Sequence, residues 1–391
     1  MLSAESEPRK LEQFIIQHKM KLNINSGILL DALKILIKAV PTKYDLMAYS
    51  YIHIDLQGTR LVLTTTNGHL TYRKELTAEE DSSDGQCCLD CRLLLNLLSQ
   101  IPMLPLCIET KDQSVTISWF GGESEMPHFP VEDFPNIQVL KEAEIWLEFN
   151  SAALRSALIK TIPFMAKDPI RPMLNGVYFD MSNQGITLVS TNTRAMMTVV
   201  TNTDPVPGVE KAVGFVIDSK TCVMLRDSLI DENQTINLGI SGNYVQINIG
   251  DTLILSRTVE GKFPNWRSVI PKTIKSNISV DKKAILGSLK RMNVFTDPVN
   301  NHIKINIDKD IINLQAQDLG FGVSGSESVP CKYDGEPIEI GFKNEFLIDT
   351  IKAIEAESVI IGINDPKMAV SLKAETEDPK ESAILMPIIR Q

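Results

Sequence analysis

Cys87, Cys88 and Cys91 stand within five positions of one another. Thiolates at that density could hold zinc, but a tetrahedral site needs further nitrogen or sulfur ligands, usually as a second pair at matched spacing. Scattered Cys107 and His128 are near in sequence, neither at such a spacing. Six cysteines in 391 residues are too few for a disulfide scaffold. Buried or half-buried thiols in a reducing compartment are therefore expected. The stretch GFGVSG, residues 320–325, satisfies the spacing of a dinucleotide-binding loop. That chemistry requires a helix immediately after the loop, whereas SESVPCKYDGEPIEI follows, with Pro330 and strand-forming residues. The five histidines, at 18, 53, 69, 128 and 302, show no catalytic spacing. The sequence contains no G-x-x-x-x-G-K-[ST], H-E-x-x-H or G-x-S-x-G motif. NQT (233–235) and NIS (277–279) fit glycosylation acceptors, which an intracellular protein would not use. The residues thus assemble no complete catalytic, metal or cofactor constellation, and the expectation is no enzyme activity, no cofactor and no metal.

What must be positioned is then a surface. The chain has 43% apolar and 23% charged residues, ordinary for a globular protein, and a length suited to two or three domains. No apolar run is long enough for a membrane helix, and the N-terminus lacks a basic start followed by an apolar stretch, so no membrane partner and a cytoplasmic location are expected. Residues 1–19 are mixed in charge and precede a second methionine, Met20; they are expected to be a disordered appendage.

The rest of the chain is written three times. YIHIDLQGTRLVLTTTNGHLTY (51–72), GVYFDMSNQGITLVSTNTRAMM (176–197) and HIKINIDKDIINLQAQDLGFGV (302–323) each alternate apolar and polar residues, turn, and alternate again. Each is a hairpin pattern. Ile52, Val177 and Ile303 fall at equivalent places. A helix precedes each hairpin, opening at Ser26, Asn150 and Asp281, and another follows, with caps expected from Asp90, Asp218 and Asn344. Phe-Pro-Asn at 134–136 recurs at 263–265 and marks the same corner of the first two repeats. The period is about 126 residues.

Each repeat offers two helices and roughly eight strands, and sheets that join across repeats would remove exposed edges. If such a surface curves closed, its helices line a hole. Six helices packed about 9 Å apart leave a hole of only about 8 Å, whereas twelve leave about 25 Å. Duplex DNA is roughly 20 Å across, so two chains suffice and one does not. The net charge is −10, yet the six helical stretches hold 14 Lys or Arg against 12 Asp or Glu. That sign suits a polyanion inside an acidic outer wall. The second helix of repeat three runs against it, with four acids and two lysines.

RPMLNGVYFD (171–180), EGKFPNWRSVIP (260–271) and the terminal ILMPIIRQ (384–391) resemble the bacterial sliding clamp family, the β subunit of DNA polymerase III, over Met20 to Gln391. The resemblance implies an α+β fold of three repeated clamp domains, each two helices backed by β-sheets, forming half of a closed ring. The domains would run 20–143, 144–273 and 274–391. It implies a non-catalytic homodimer that encircles duplex DNA without reading sequence. Through short linear peptides it would tether the replicative polymerase, the clamp loader and repair polymerases. The peptide pocket would be walled by Leu174, rimmed by Thr191 and Met196, floored by Pro264 and Val269, and lipped by Leu385, Met386, Pro387 and Ile388. Lys43, Arg92, Arg171 and Lys220 would face DNA. Met126 in repeat one would meet Val294 and Phe295 of repeat three at the dimer seam. Two departures stand out. Asn192–Met196 replaces the family's frequent Asp-Gly-His-Arg-Leu at the rim, and Pro172 and Met173 occupy an aromatic pair's place at the DNA face.

Two other readings are compatible with repeated α+β domains. A metal-dependent nuclease or hydrolase would need acids converging on a metal, and no such cluster is visible in the sequence. An interaction scaffold would use the same surfaces without forming a ring.

Overall fold

A computed structural model describes residues 19–140, 142–182, 185–202, 206, 209, 213–376 and 380–388. All of the expected appendage except Lys19 lies outside the described residues.

The order of elements is the same in every repeat: one strand, a helix, four strands, a helix, three strands. Repeat one runs β1 (Lys21–Asn25), α1 (Ser26–Leu36), β2 (Tyr51–Gln57), β3 (Arg60–Thr66), β4 (Leu70–Thr77), β5 (Gly85–Asp90), α2 (Cys91–Leu98), β6 (Pro105–Thr110), β7 (Ser114–Trp119) and β8 (Gly122–Pro127). Repeat two runs β9 (Ile145–Asn150), α3 (Ser151–Thr161), β10 (Gly176–Ser182), β11 (Gly185–Thr191), β12 (Ala195–Asn202), β13 (Val213–Asp218), α4 (Ser219–Ser228), β14 (Thr235–Ser241), β15 (Tyr244–Ile249) and β16 (Thr252–Arg257). Repeat three runs β17 (Ser276–Asp281), α5 (Lys282–Met292), β18 (His302–Asp308), β19 (Ile311–Asp318), β20 (Val323–Pro330), β21 (Ile338–Lys343), α6 (Asn344–Ala353), β22 (Ser358–Ile363), β23 (Val370–Ala374) and β24 (Glu381–Leu385).

Helix starts follow from short polar side chains. Asn25, Asp90, Asn150, Asp218 and Asp281 each accept a first-turn N–H, which satisfies donors that a helix end leaves open. Two expectations are corrected. Ser26 does not cap α1; its hydroxyl donates to Pro102 O and accepts from Leu104 N–H. Asn344 does not cap α6 either. It is buried, and its amide donates to Leu289 O and Asn293 Oδ1. Asn301 Oδ1, reaching from a loop, accepts the Glu345 N–H instead.

Each repeat yields two four-stranded half-sheets, and the chain divides into two compact units, 1–146 with 236–257 and 147–235 with 258–391. In the first unit, β1-β6-β7-β8 stands as a four-stranded sheet. A second sheet, in which β5-β2-β3-β4 joins β16-β15-β14-β9 through the β4–β16 pair, has eight strands, and only Ile145 and Trp146 of its last strand, β9, belong to this unit. In the second unit, β13-β10-β11-β12 joins β24-β23-β22-β17 through the β12–β24 pair. The four strands β20-β19-β18-β21 remain alone there. The hairpins pair antiparallel, and strands such as β6 and β18 alternate buried and less buried residues and send one face into an apolar core, whereas β3 is buried on both faces. Ile52, Val177 and Ile303 are fully buried. Among the described residues no helix is long and apolar enough to cross a membrane.

Candidate functional site

The corner marked by Phe-Pro-Asn builds the principal site, inside the second unit. Phe263 stacks on Tyr178, centroids 4.5 Å apart, and packs with Leu174, Val189, Met196, Val216 and Ile384. Met173, Trp266 and Ile270 lie against this cluster, half-buried. A 3₁₀ turn over Trp266–Val269 carries the floor. Asp180, at the buried heart of β10, accepts from Trp266 Nε1 at 2.6 Å and from Arg267 Nη1 at 2.5 Å. The Arg267 guanidinium also lies 4.3 Å from the Trp266 ring centroid.

The rim is the β11–β12 hairpin tip. Asn192 Oδ1 accepts from the N–H groups of Arg194 and Ala195, and Thr191 Oγ1 from that of Thr193. These bonds hold Thr193 at φ +73°, a left-handed conformation that a β-branched residue rarely adopts. The last strand then passes alongside: Met386 N–H donates to Arg194 O, and Ile388 N–H to Gly341 O.

Of the residues expected here, Leu174 and Met196 lie in the buried cluster, and Thr191 is at its rim. Pro264 and Val269 are exposed beside it. Met386 and Ile388 keep 40% and 36% of their surface, while Pro387 is buried. Leu385 is a correction. It pairs with Ala195 and Val370 and is buried on the opposite face of β24, so its neighbour Ile384 packs against Met196. Phe263, Trp266 and Ile384 are absent from the expected set, although the repeated Phe-Pro-Asn contains the first. The result is a buried apolar base ringed by exposed Val269, Met386 and Ile388, a surface that an apolar peptide side chain could cover.

The cations are distributed over both units. In the first, Lys43 is exposed in the loop after α1. Arg92, in the first turn of α2, is half-buried and donates to Pro41 O at 3.0 Å, so it secures that loop. In the second, Arg171 is paired with Asp168 at 2.7 Å, and Lys220 is exposed in the first turn of α4. Ser219 N–H donates to Asn175 O, which brings the start of α4 against the Arg171–Asn175 turn. The third repeat has Glu345 where the others have Arg92 and Lys220, paired with Lys343 at 2.6 Å.

Of the residues expected at the seam, Met126 is 4% exposed and lies on the inward face of β8, while Glu123 and Glu125 are exposed on the other face. Val294 is 76% exposed and Phe295 lies against Gly325 of β20. Both β8 and β20 are terminal strands of their sheets.

The cysteines do not converge. Cys87 and Cys88 alternate across β5, and Cys91 opens α2; all three are buried, and burial pushes the Cys88 and Cys91 thiols up to about 12. Among the described residues no three His, Cys, Asp or Glu are grouped to hold a metal ion. GFGVSG spans the β19–β20 tip, where Asp318 Oδ1 accepts from Gly320 and Phe321 N–H and a strand follows in place of a helix.

Three family models match the chain in order. They are the N-terminal, central and C-terminal domains of the DNA polymerase III beta subunit, over residues 20–138, 148–265 and 267–389. The beta sliding clamp of Synechococcus elongatus is 27% identical over 381 residues, covering 94% of this chain and 99% of the relative. That of Caulobacter vibrioides is 24% identical over 379 residues, covering 94% and 100%. A Pseudomonas aeruginosa sliding clamp bound to griselimycin superimposes with a TM-score of 0.89 at 18% identity, covering 95% of this chain and all of that one. A C. crescentus beta sliding clamp with polyethylene glycol in its putative tethering region gives 0.89 at 22%, covering 96% and 100%. With three repeats and all three domain models matching in sequence, the chain belongs to the DNA polymerase III beta subunit family of non-catalytic sliding clamps.

Proposed function

We propose that two copies of the chain close head to tail around duplex DNA and tether a replicative polymerase, the clamp loader and repair polymerases, acting in the bacterial cytoplasm. The observation that carries this reading is a pair of unfinished sheets. β16 completes the sheet of β4 and β24 that of β12, whereas β20 and β8, their equivalents in repeats three and one, end four-stranded sheets. An unpaired edge is a template for another chain. Pairing β20 of one copy with β8 of a second makes a third eight-stranded sheet of the same order, and two such seams close a dimer. Lys43, Arg92, Arg171 and Lys220 would meet phosphates without reading bases. The cluster around Leu174 and Met196 would take the partners' peptide.

The repeat also supplies a register. Leu70 faces Ser256 and Ala195 faces Leu385, so Val323 should face Met126 of the second copy, and Ser324 should face its Glu125. Paired strands bring such Cα atoms to about 5 Å, within reach of a disulfide. A Glu125→Cys, Ser324→Cys variant should therefore oxidise to a species near twice 43.5 kDa on a non-reducing gel, and neither single variant should. Loaded on circular DNA, the cross-linked ring should stay until the circle is cut. No cross-link from the double variant removes the seam, and equal loss from circles and linear DNA removes encirclement.

A further inference from the structure

The hairpin tip of repeat one frames a cavity of its own, inside the first unit. Thr66 and Asn67 make the same tip bonds as Thr191 and Asn192, accepting from the N–H groups of Gly68, His69 and Leu70. Arg257 N–H donates to His69 O as Met386 N–H does to Arg194 O. Phe134 stacks on His53 as Phe263 does on Tyr178. This frame encloses about 250 Å³.

The contents differ from those of the second unit. Ile137, Leu140, Leu255 and Tyr244 supply apolar base and wall. At the mouth, Arg257 takes the place of Met386 and His69 that of Arg194. The Arg257 guanidinium lies 5.5 Å from the Tyr244 ring centroid and has no carboxylate partner among the described residues. No Asp or Glu lines the cavity, on a chain of net charge −10. The volume suits one or two side chains, below the range of whole cofactors.

We propose that this cavity is a second docking site, and that its occupant is a peptide segment with a carboxylate beside an aliphatic or aromatic side chain. The apolar group enters between Leu140 and Leu255, and the carboxylate meets Arg257. An Arg–carboxylate pair at a half-open mouth gives both charge and direction. The site is separate from the Leu174 cluster, so it takes a ligand whether or not that cluster is occupied.

The test is methyl NMR of the full chain with acetyl-Leu-Asp-Leu-amide and acetyl-Leu-Asn-Leu-amide. The Asp peptide should give saturable shifts at Ile137, Leu140 and Leu255, undiminished in Met386→Ala. Arg257→Gln should weaken the Asp peptide about tenfold, the loss expected for one charge-assisted hydrogen bond, and leave the Asn peptide unchanged. Absence of saturable shifts at those methyls overturns the proposal, as does an Arg257→Gln variant that binds the Asp peptide like the parent. Displacement of the peptide by a short oligothymidylate would assign the cavity to nucleic acid instead.

Discussion

Asp180 on β10 accepts a hydrogen bond from Arg267 at 2.5 Å, and its side chain is 1% exposed against 47% for the arginine. One buried acid therefore holds the turn that floors the apolar cluster, because the same oxygen also receives Trp266 Nε1. At the equivalent place in repeat one, Asp55 receives the amides of Gln57 and Gln86 instead.

Asp180→Asn keeps an oxygen for the indole but loses the charge facing Arg267. Breaking a fully buried pair costs about 3–5 kcal/mol; the half-exposed arginine reduces this to about 1–2 kcal/mol. Urea unfolding should show that loss, and a partner peptide should bind severalfold more weakly. Arg267→Gln added to Asp180→Asn should cost little more, since the two act as one contact. Fully additive losses would show that the acid does not hold the floor through Arg267.

Thr193 should be replaceable with profit to stability. Its φ of +73° matches that of Gly68, +83°, at the same place in repeat one. The left-handed conformation costs a residue with a Cβ about 1–2 kcal/mol, and glycine returns part of that as unfolded-chain entropy. Thr193→Gly should therefore raise stability by about 0.5–1 kcal/mol in denaturant melts. A variant less stable than the parent would mean that the Thr193 side chain makes up for its backbone.

Lys160 on α3 bridges two acids of repeat three, Glu355 at 2.7 Å and Glu381 at 2.5 Å. Burial alone would lower the lysine's pKa, but hydrogen bonds to Glu355 and Glu381 outweigh it and the net shift is upward. Glu355 is held below the usual carboxylate range, chiefly by its hydrogen bond from Lys160. The raised lysine stabilises fully below its unfolded pKa, about 10.4, and that contribution fades as pH rises through the higher folded value. The depressed Glu355 stabilises above its unfolded pKa, about 4.3, and that contribution fades as pH falls through the lower folded value. Lys160→Met should thus cost about 2–3 kcal/mol at neutral pH by leaving Glu381 buried without its partner. The gap from the parent should narrow below about pH 4. A gap constant from pH 3 to 9 would assign the loss to packing alone.

The repeats were legible because period-two alternation and capping Asn or Asp side chains are local signals. Phase at the end of a strand is not. Whether Ile384 or Leu385 faces Met196 depends on β24 pairing with β12, residues nearly 200 positions apart, and Met126 turned inward for the same kind of reason. Asn344 carried the signature of a cap, yet the fold spends it on a buried network with Asn293 and Leu289. Arg92 looked like a free cation, and only the fold places Pro41 O within its reach.

The cysteine trio should be chemically silent. Burial raises all three thiols, Cys88 and Cys91 to about 12, so almost no thiolate exists at neutral pH. Native protein treated with iodoacetamide at pH 7.5 should be labelled only at the partly exposed Cys107 and Cys331, and those slowly, since their thiols are also raised. Peptide mapping by mass spectrometry reads this directly. Rapid labelling at Cys88 or Cys91 would mean that β5 opens in the native state.

The sharpest separation of binding from folding lies at the pocket's exposed edge. Val269 and Met386 keep 49% and 40% of their surface, so neither contributes much to the core. Surface truncations of this kind leave stability within about 0.5 kcal/mol. Covered by a partner's apolar side chain, each would lose contacts worth about 1 kcal/mol, or roughly fivefold in affinity. Met386→Ala and Val269→Ser should therefore melt like the parent yet bind a polymerase-derived peptide about fivefold more weakly each, measured by fluorescence polarisation. Pro387→Ala is the less informative choice, because Pro387 is buried and its loss would disturb the strand end that Ile388 anchors to Gly341. Unchanged peptide affinity in both exposed variants would move the partner site away from the Leu174 cluster.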